Sequence, residues 1–256
     1  MAELAVAIEE FKKDIENRNS NSLKKLKSVK NKVSIQAAVD LAYNDAKRTM
    51  TGIGDFGHNK TTALNAIAAK LLDYFEEPAP NFDSFEEKHK ELCNIWCTEF
   101  KGSERGTYGK AQKIINMAFK YLRCCCDAGE YPDHFKFCHM PLDSFTLTWY
   151  KRKTDDKKNY TWSKIHPEEY RGIQKTIRNY LQKSENNLSP LELEFIVWPE
   201  IKKELAAEEF LFGLGDDLSK RKNGIKAMSL SDKYKLIIDT LSSSSKAESK
   251  TEKADT

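Results

Sequence analysis

The stretch from Phe85 to Arg152 holds the residue types and spacings from which chemistry is most readily built. Gly102, Gly106 and Gly109 punctuate a short turn, KGSERGTYGK (101–110), between two helical patterns, with Tyr108 between the last two glycines. A tight turn of this kind needs residues that tolerate positive φ, and it leaves backbone N–H groups unpaired at the next helix start. Those groups, helped by the helix dipole and here by Lys110, can bind a phosphate. Lys113 follows one turn later in an apolar helical run. Asp143 follows a Met-Pro-Leu step at the start of another helix. Taken singly, Asp143 reads as a helix cap and each lysine as a surface group.

Three other constellations each have a plainer reading beside the chemical one. TGIGDFGHN (51–59) carries Gly52, Gly54 and Gly57 ahead of Lys60-Thr61, as a phosphate loop would. His58 and Asn59 intervene, however, and a helix rather than a strand precedes it, which argues against nucleotide binding. His89, Cys93 and Cys97 share a helical face, and Cys138-His139 would complete a metal site. Leu92 and Trp96 beside them make buried core cysteines the simpler reading, so no metal is expected. The helix opened by Pro167 carries Arg171, Lys175, Arg178 and Lys183 as a basic stripe, either solvated or contacting phosphates. Lys151, Arg152, Lys153, Lys157 and Lys158 would extend it.

GTYGKAQKIINMAFKYL (106–122) followed by HMPLDSFTL (139–147) resembles the helix-hairpin-helix DNA glycosylase superfamily. Members have a hairpin, a lysine-bearing helix, then a helix whose first turn carries an essential aspartate. The separation, 143 − 113 = 30 residues, is most similar to that of the archaeal 8-oxoguanine DNA glycosylase branch. The resemblance covers about a quarter of the chain. It implies Lys113 and Asp143 as the catalytic pair, with Lys110 as the alternative active lysine. It implies Gly106, Gly109 and Lys110 as DNA contacts, joined by Arg171, Lys175 and Arg178. No cysteine follows Cys138, so no iron–sulfur cluster is implied, and no cofactor is expected.

The implied reaction explains the residue types. Breaking an N-glycosidic bond builds positive charge on the deoxyribose, which a carboxylate near C1′ stabilises. A lysine amine can attack C1′, and the resulting Schiff base permits strand cleavage by β-elimination. The partner would be double-stranded DNA with the damaged or modified base flipped into an aromatic-lined pocket. Trp96, Tyr108, Phe145, Trp149 and Trp162 are candidates for its walls. Base repair and defence against modified foreign DNA are both open. Competing functions are a non-catalytic helix-hairpin-helix DNA-binding protein and a helical protein-interaction or toxin-type protein.

The elements that must position these groups read as helices throughout. Apolar residues make up 39% of the chain, enough for a core, while a net charge of +3 is too small to identify a partner. No apolar run approaches the roughly 20 residues that span a bilayer, and the three consecutive cysteines suit reduced thiols in a cytoplasmic monomer. The expected fold is all-α, in the helix-hairpin-helix manner. Residues 1–30 form a charged N-terminal helix, 31–241 a helical domain with its hairpin at 101–110, and 242–256 a disordered tail. Within the domain, helices are expected over 32–50, with Val33, Ala37 and Leu41 inward, and from Thr61 to Phe75. Others follow at 84–100, 110–126 and 142–152, then from Pro167 and from Ser189-Pro190.

Overall fold

The computed structural model describes residues 2–49, 57–125, 127–156, 158–184, 187–214, 218 and 220–251. Gly52, Gly54, Cys126, Lys157 and residues 252–256 of the tail lie outside them. The fold is all-α, and no strand occurs among the described residues. The chain divides into two compact units, Met1–Val197 and Trp198–Thr256. This differs from the expected partition at residues 30 and 241.

In the first unit, α1 (Ala2–Leu23) leaves helical geometry at Asn19 and buries Leu4, Ile8 and Ile15. Leu4 and Ile8 pack against Cys124 and Phe195, so the N-terminal helix belongs to this core rather than standing apart. Helix α2 (Lys32–Thr49) buries Ile35, Ala38, Val39, Ala42 and Ala46. Val33, expected inward, is 60% exposed, because the buried stripe is centred on Ile35 and the alanines. Small residues on that stripe let α2 lie close against α5 (Tyr108–Arg123).

Helix α3 (Gly57–Glu76) begins a turn earlier than Thr61 and packs on α4 (Phe82–Glu99). Asn81 caps α4, its side chain accepting the Ser84 N–H at 2.9 Å. Tyr74, Phe75, Phe85, Phe119 and Phe135 then form an aromatic cluster with His134. Helix α5 is the axis of the unit, since every residue from Tyr108 to Leu122 is buried. A helix buried all round is ordinarily apolar. This one instead carries Lys110, Gln112, Lys113, Asn116 and Lys120 inside, and each needs a partner.

After α5 come a 3-10 turn at Ala128–Glu130, the short α6 (Pro132–Phe135), and a buried non-helical segment, residues 138–142. Helix α7 (Ser144–Lys153) follows, then a 3-10 turn at Trp162–Lys164 and α8 (Pro167–Lys183). Proline opens α8, and also α9 (Pro190–Gly213), as their fixed φ and missing N–H favour.

In the second unit, Ile201, Ala207, Leu211 and Ile225 are buried. Lys233 is fully buried and binds Glu208 at 2.9 Å. Helix α10 (Lys222–Ala227) precedes α11 (Leu230–Thr251), which takes in most of the tail expected to be disordered. No proline or glycine interrupts that serine- and lysine-rich run, so nothing local stops the helix.

The hairpin glycines have packing reasons. Gly102 adopts φ +79°, where a side chain would be strained. A Cβ at Gly106 would collide with the Phe100 carbonyl, and one at Gly109 with the Trp162 carbonyl and the Ser163 backbone. Gly109→Ala is therefore expected to lower the unfolding free energy by about 1–3 kcal/mol, through overpacking against backbone that cannot rotate away. Gly172→Ala in α8, where a Cβ meets nothing within 4 Å, should raise it by up to about 1 kcal/mol through helix propensity. Urea denaturation of the two variants checks both signs.

Candidate active site

The hairpin ties α4 to α5. Trp96 on α4 donates its indole N–H to the Arg105 carbonyl at 2.8 Å. Thr107 caps α5, accepting the Lys110 N–H, and donates its hydroxyl to the Ser163 carbonyl at 2.6 Å. The turn at 162–164 thus lies against the start of α5, where Gly109 admits it. Gly106 and Gly109, expected as phosphate contacts, serve here to let backbone approach backbone.

Lys113 and Asp143 come together. Lys113 Nζ lies 2.7 Å from Asp143 Oδ2, and the two residues are 6% and 8% exposed. Asp143 is the N-cap of α7. Its Oδ1 accepts the N–H groups of Phe145 at 2.9 Å and Thr146 at 3.0 Å. The Thr146 hydroxyl in turn accepts the Asp143 N–H at 2.8 Å. One carboxylate oxygen holds the helix while the other faces the lysine. Capping alone needs only the first. Lys110, the alternative lysine, points elsewhere, donating to the Glu104 carbonyl at 2.6 Å. Burial, together with Arg105 and Lys164 nearby, lowers the pKa of its amine.

The segment leading to Asp143 is held by side-chain amides. Gln112 on α5 accepts the Leu142 N–H at 3.1 Å and donates to the Leu142 carbonyl at 2.9 Å. Gln174 on α8 does the same for Met140, at 3.1 and 2.8 Å. Between them stands Pro141, which has no N–H to satisfy. The Cys138 carbonyl accepts the Leu191 N–H at 3.2 Å.

Beside these glutamines lies a buried polar network. The Asn116 amide donates to the Gln112 oxygen at 3.0 Å and to the Tyr170 hydroxyl at 2.8 Å, and its oxygen accepts from His89 Nε2 at 2.9 Å. Tyr170 donates to His139 Nδ1 at 2.8 Å, and His139 Nε2 donates to Glu86 at 2.9 Å. Arg178 lies 3.5 Å from Glu86, donates to the Phe137 carbonyl at 2.8 Å and covers the Phe82 ring. Asn116, Tyr170 and Gln174 did not stand out as functional residues in the sequence, and His89 and His139 did so only as metal ligands beside the plainer core reading. Polar residues at the inward helical positions of α5 and α8 were the signal available. Cys93 Sγ lies 3.8 Å from His89 Nδ1, and Cys138 bonds the His134 carbonyl, so these two cysteines are core residues, while half-buried Cys97 lines the cleft described below.

The remaining expected site residues are dispersed. Arg178 is turned into the structure by Glu86, which breaks the expected basic stripe and leaves Arg171 and Lys175 exposed. Trp96 is 1% exposed and Trp149 is buried edge-on to Tyr180, so both belong to the core, and neither lines the cleft described next. Phe145 is half-buried. Tyr108 and Trp162 line a cleft of about 870 Å³ with Lys110, Lys164 and His166. Lys113 and Asp143 are not in its walls.

Among the described residues no helix is long and apolar enough to cross a membrane. No family model, curated protein or solved structure matches this chain.

Burial holds both imidazoles, His89 and His139, well below their ordinary value of about 6.5, with His139 and Arg178 as lesser causes for His89 and Arg178 for His139. The folded protein keeps them neutral, while the unfolded chain takes up protons as the pH falls below that value. The stability they confer is therefore present above pH 6.5 and lost on acidification, by about 1.4 kcal/mol per pH unit for each imidazole. Chemical denaturation at a series of pH values from 7.5 to 5 should show this steep loss. A flat profile would mean the two rings titrate normally.

Proposed function

We propose that this chain is a DNA glycosylase that excises a damaged or modified base, with Lys113 and Asp143 as its reacting groups. The observation that carries the reading is the 2.7 Å pair itself, formed between α5, which follows the glycine-bearing turn after α4, and the N-cap of α7. A nearly buried ion pair is a poor source of net stability, because desolvation offsets its attraction. Its presence where a cap needs only one oxygen supports a chemical role. No cofactor enters the reading.

In the proposed reaction the base leaves C1′ with the bonding electrons and is protonated, while the Asp143 carboxylate opposes the positive charge growing on the sugar. The Lys113 amine, after passing a proton to the departing base, bonds to C1′; the C1′–O4′ bond then opens, with O4′ taking the second amine proton, to give the Schiff base from which β-elimination follows. The 870 Å³ cleft has Lys110, one turn before Lys113, among its lining residues, and with Tyr108 and Trp162 in its walls it has the volume to accept an extruded nucleotide. Double-stranded DNA is the proposed partner of a monomeric cytoplasmic protein.

A second reading is a non-catalytic DNA-binding protein in which the pair is structural. The low exposure of both residues favours it. Borohydride trapping on oligonucleotides carrying damaged or modified bases separates the two. Wild type should give a covalent adduct. Lys113→Gln should abolish the adduct. Asp143→Asn should keep the cap, since its amide oxygen still accepts, yet reduce base release by at least about 100-fold. DNA binding without base release from any substrate would leave the second reading standing.

Binding should weaken with salt, log affinity falling against log salt by about 0.9 for each phosphate contacted. Changing Arg171 and Lys175 to Gln together should flatten that slope by up to about 2, whereas Arg178→Gln should leave it unchanged. Fluorescence anisotropy from 50 to 300 mM salt measures both.

A further inference from the structure

We infer that Gln112 is a positioning residue for the proposed reaction, fixing the Asp143 carboxylate against Lys113 through a two-point clamp on the Leu142 backbone. The inference rests on the glycosylase reading for its chemical meaning, but its geometry stands apart from it. Gln112 immediately precedes Lys113 on α5, and Leu142 immediately precedes Asp143. Its amide occupies both hydrogen-bonding groups of Leu142, at 3.1 and 2.9 Å, and is fully buried. The same amide nitrogen lies 2.9 Å from the Gly109 carbonyl, and its oxygen accepts from Asn116 at 3.0 Å. Its acceptor and donor sides are thereby assigned, so the amide cannot turn over without losing bonds on both.

The clamp sets the spacing of the two helices at the point where the pair forms. Two residues adjacent in sequence to the reacting groups are bonded to each other, so the separation of Lys113 and Asp143 is determined one residue away on both segments. Gln174 supplies a matched comparison. It makes the same two-point clamp on Met140, from α8, three residues before Asp143 rather than one. Both glutamines are fully buried. A structural role alone predicts similar consequences when either is removed. A positioning role predicts that only Gln112 governs the pair, because a displacement of about 1 Å of a reacting group can cost about 100-fold in rate.

The test compares Gln112→Met with Gln174→Met, each keeping side-chain length while removing donor and acceptor. Three quantities are measured on the full chain: thermal stability, single-turnover base release, and the ¹H–¹⁵N signal of the Lys113 ammonium, assigned by its absence in Lys113→Gln. Gln112→Met should slow base release about 100-fold, leave DNA affinity unchanged, and shift or abolish the ammonium signal. Gln174→Met, with a comparable loss of stability, should keep the signal and stay within a few-fold of the wild-type rate. Equal rate losses in the two variants, or an unchanged ammonium signal in folded Gln112→Met, would overturn the inference. Should Gln112→Met fail to fold, Gln112→Glu retains the acceptor for the Leu142 N–H and is read by the same criteria. If wild type releases no base, the glycosylase reading fails by itself, and the ammonium signal still decides whether Gln112 sets the pair.

Discussion

A backbone segment buried between helices has no neighbouring strand to take its N–H and C=O groups, and leaving each one unpaired costs about 1–3 kcal/mol. Residues 138–142 are in that position, and much of the polar architecture of the first unit follows from it. Two glutamines stand in for the missing strand, one on each flanking helix, bonding alternate residues through both groups as a strand edge would. Once Gln112 is committed to the backbone, Asn116 must satisfy its remaining lone pair. Asn116 then brings Tyr170 and His89 with it, and Tyr170 brings His139. The network reaches water only at Glu86 and Arg178. A central helix that would otherwise be apolar becomes a ladder of polar side chains, and the Lys113–Asp143 pair sits at one end of it.

Such a ladder is specific because it is expensive. Each buried amide or imidazole is tolerated only when its donors and acceptors are matched, so the arrangement admits few alternatives. The same logic governs charges elsewhere. Asp45 gathers Arg18 at 3.0 Å, Arg48 and the Tyr121 hydroxyl, joining α1, α2 and α5. In the second unit, fully buried Lys233 sits between Glu208 at 2.9 Å and Glu204 at 3.7 Å.

Local chemistry was legible in the sequence where one residue type does one local job. Pro167 and Pro190 open helices, Asp143 caps one, and the glycine turn at 101–110 separates α4 from α5. The juxtaposition of Lys113 with Asp143 was legible only through a pattern of order and spacing, since neither residue announces its partner. What stayed hidden depends on contacts distant in the chain. Gly109 is small because of the carbonyl of Trp162, Arg178 leaves its stripe because of Glu86, and Trp96 is spent on the hairpin through Arg105. Val33 shows the limit of periodicity alone. It shares a helical face with Ala37 and Leu41, which are buried as expected, yet Val33 itself, in the first turn of α2, is exposed. Pro199 marked a kink or division of the helix that Pro190 opens, and the unit boundary falls beside it, although α9 continues through.

Lys120 and Glu194 form an ion pair with side chains only 4% and 1% exposed, and the ammonium also lies over the rings of Phe11 and Phe195 at 4.2 and 4.7 Å. The partners come from the first turns of the chain, its middle, and the last turn before the unit boundary. During synthesis, therefore, α5 is complete some 70 residues before its counter-charge leaves the ribosome, a delay of several seconds at ordinary elongation rates. Until then the ammonium must stay in water, and the C-terminal half of α5 cannot be sealed under α1. The native burial of Lys120 therefore needs the chain through Glu194, and a chain stalled before that residue would lack the counter-charge that lets α5 be covered there.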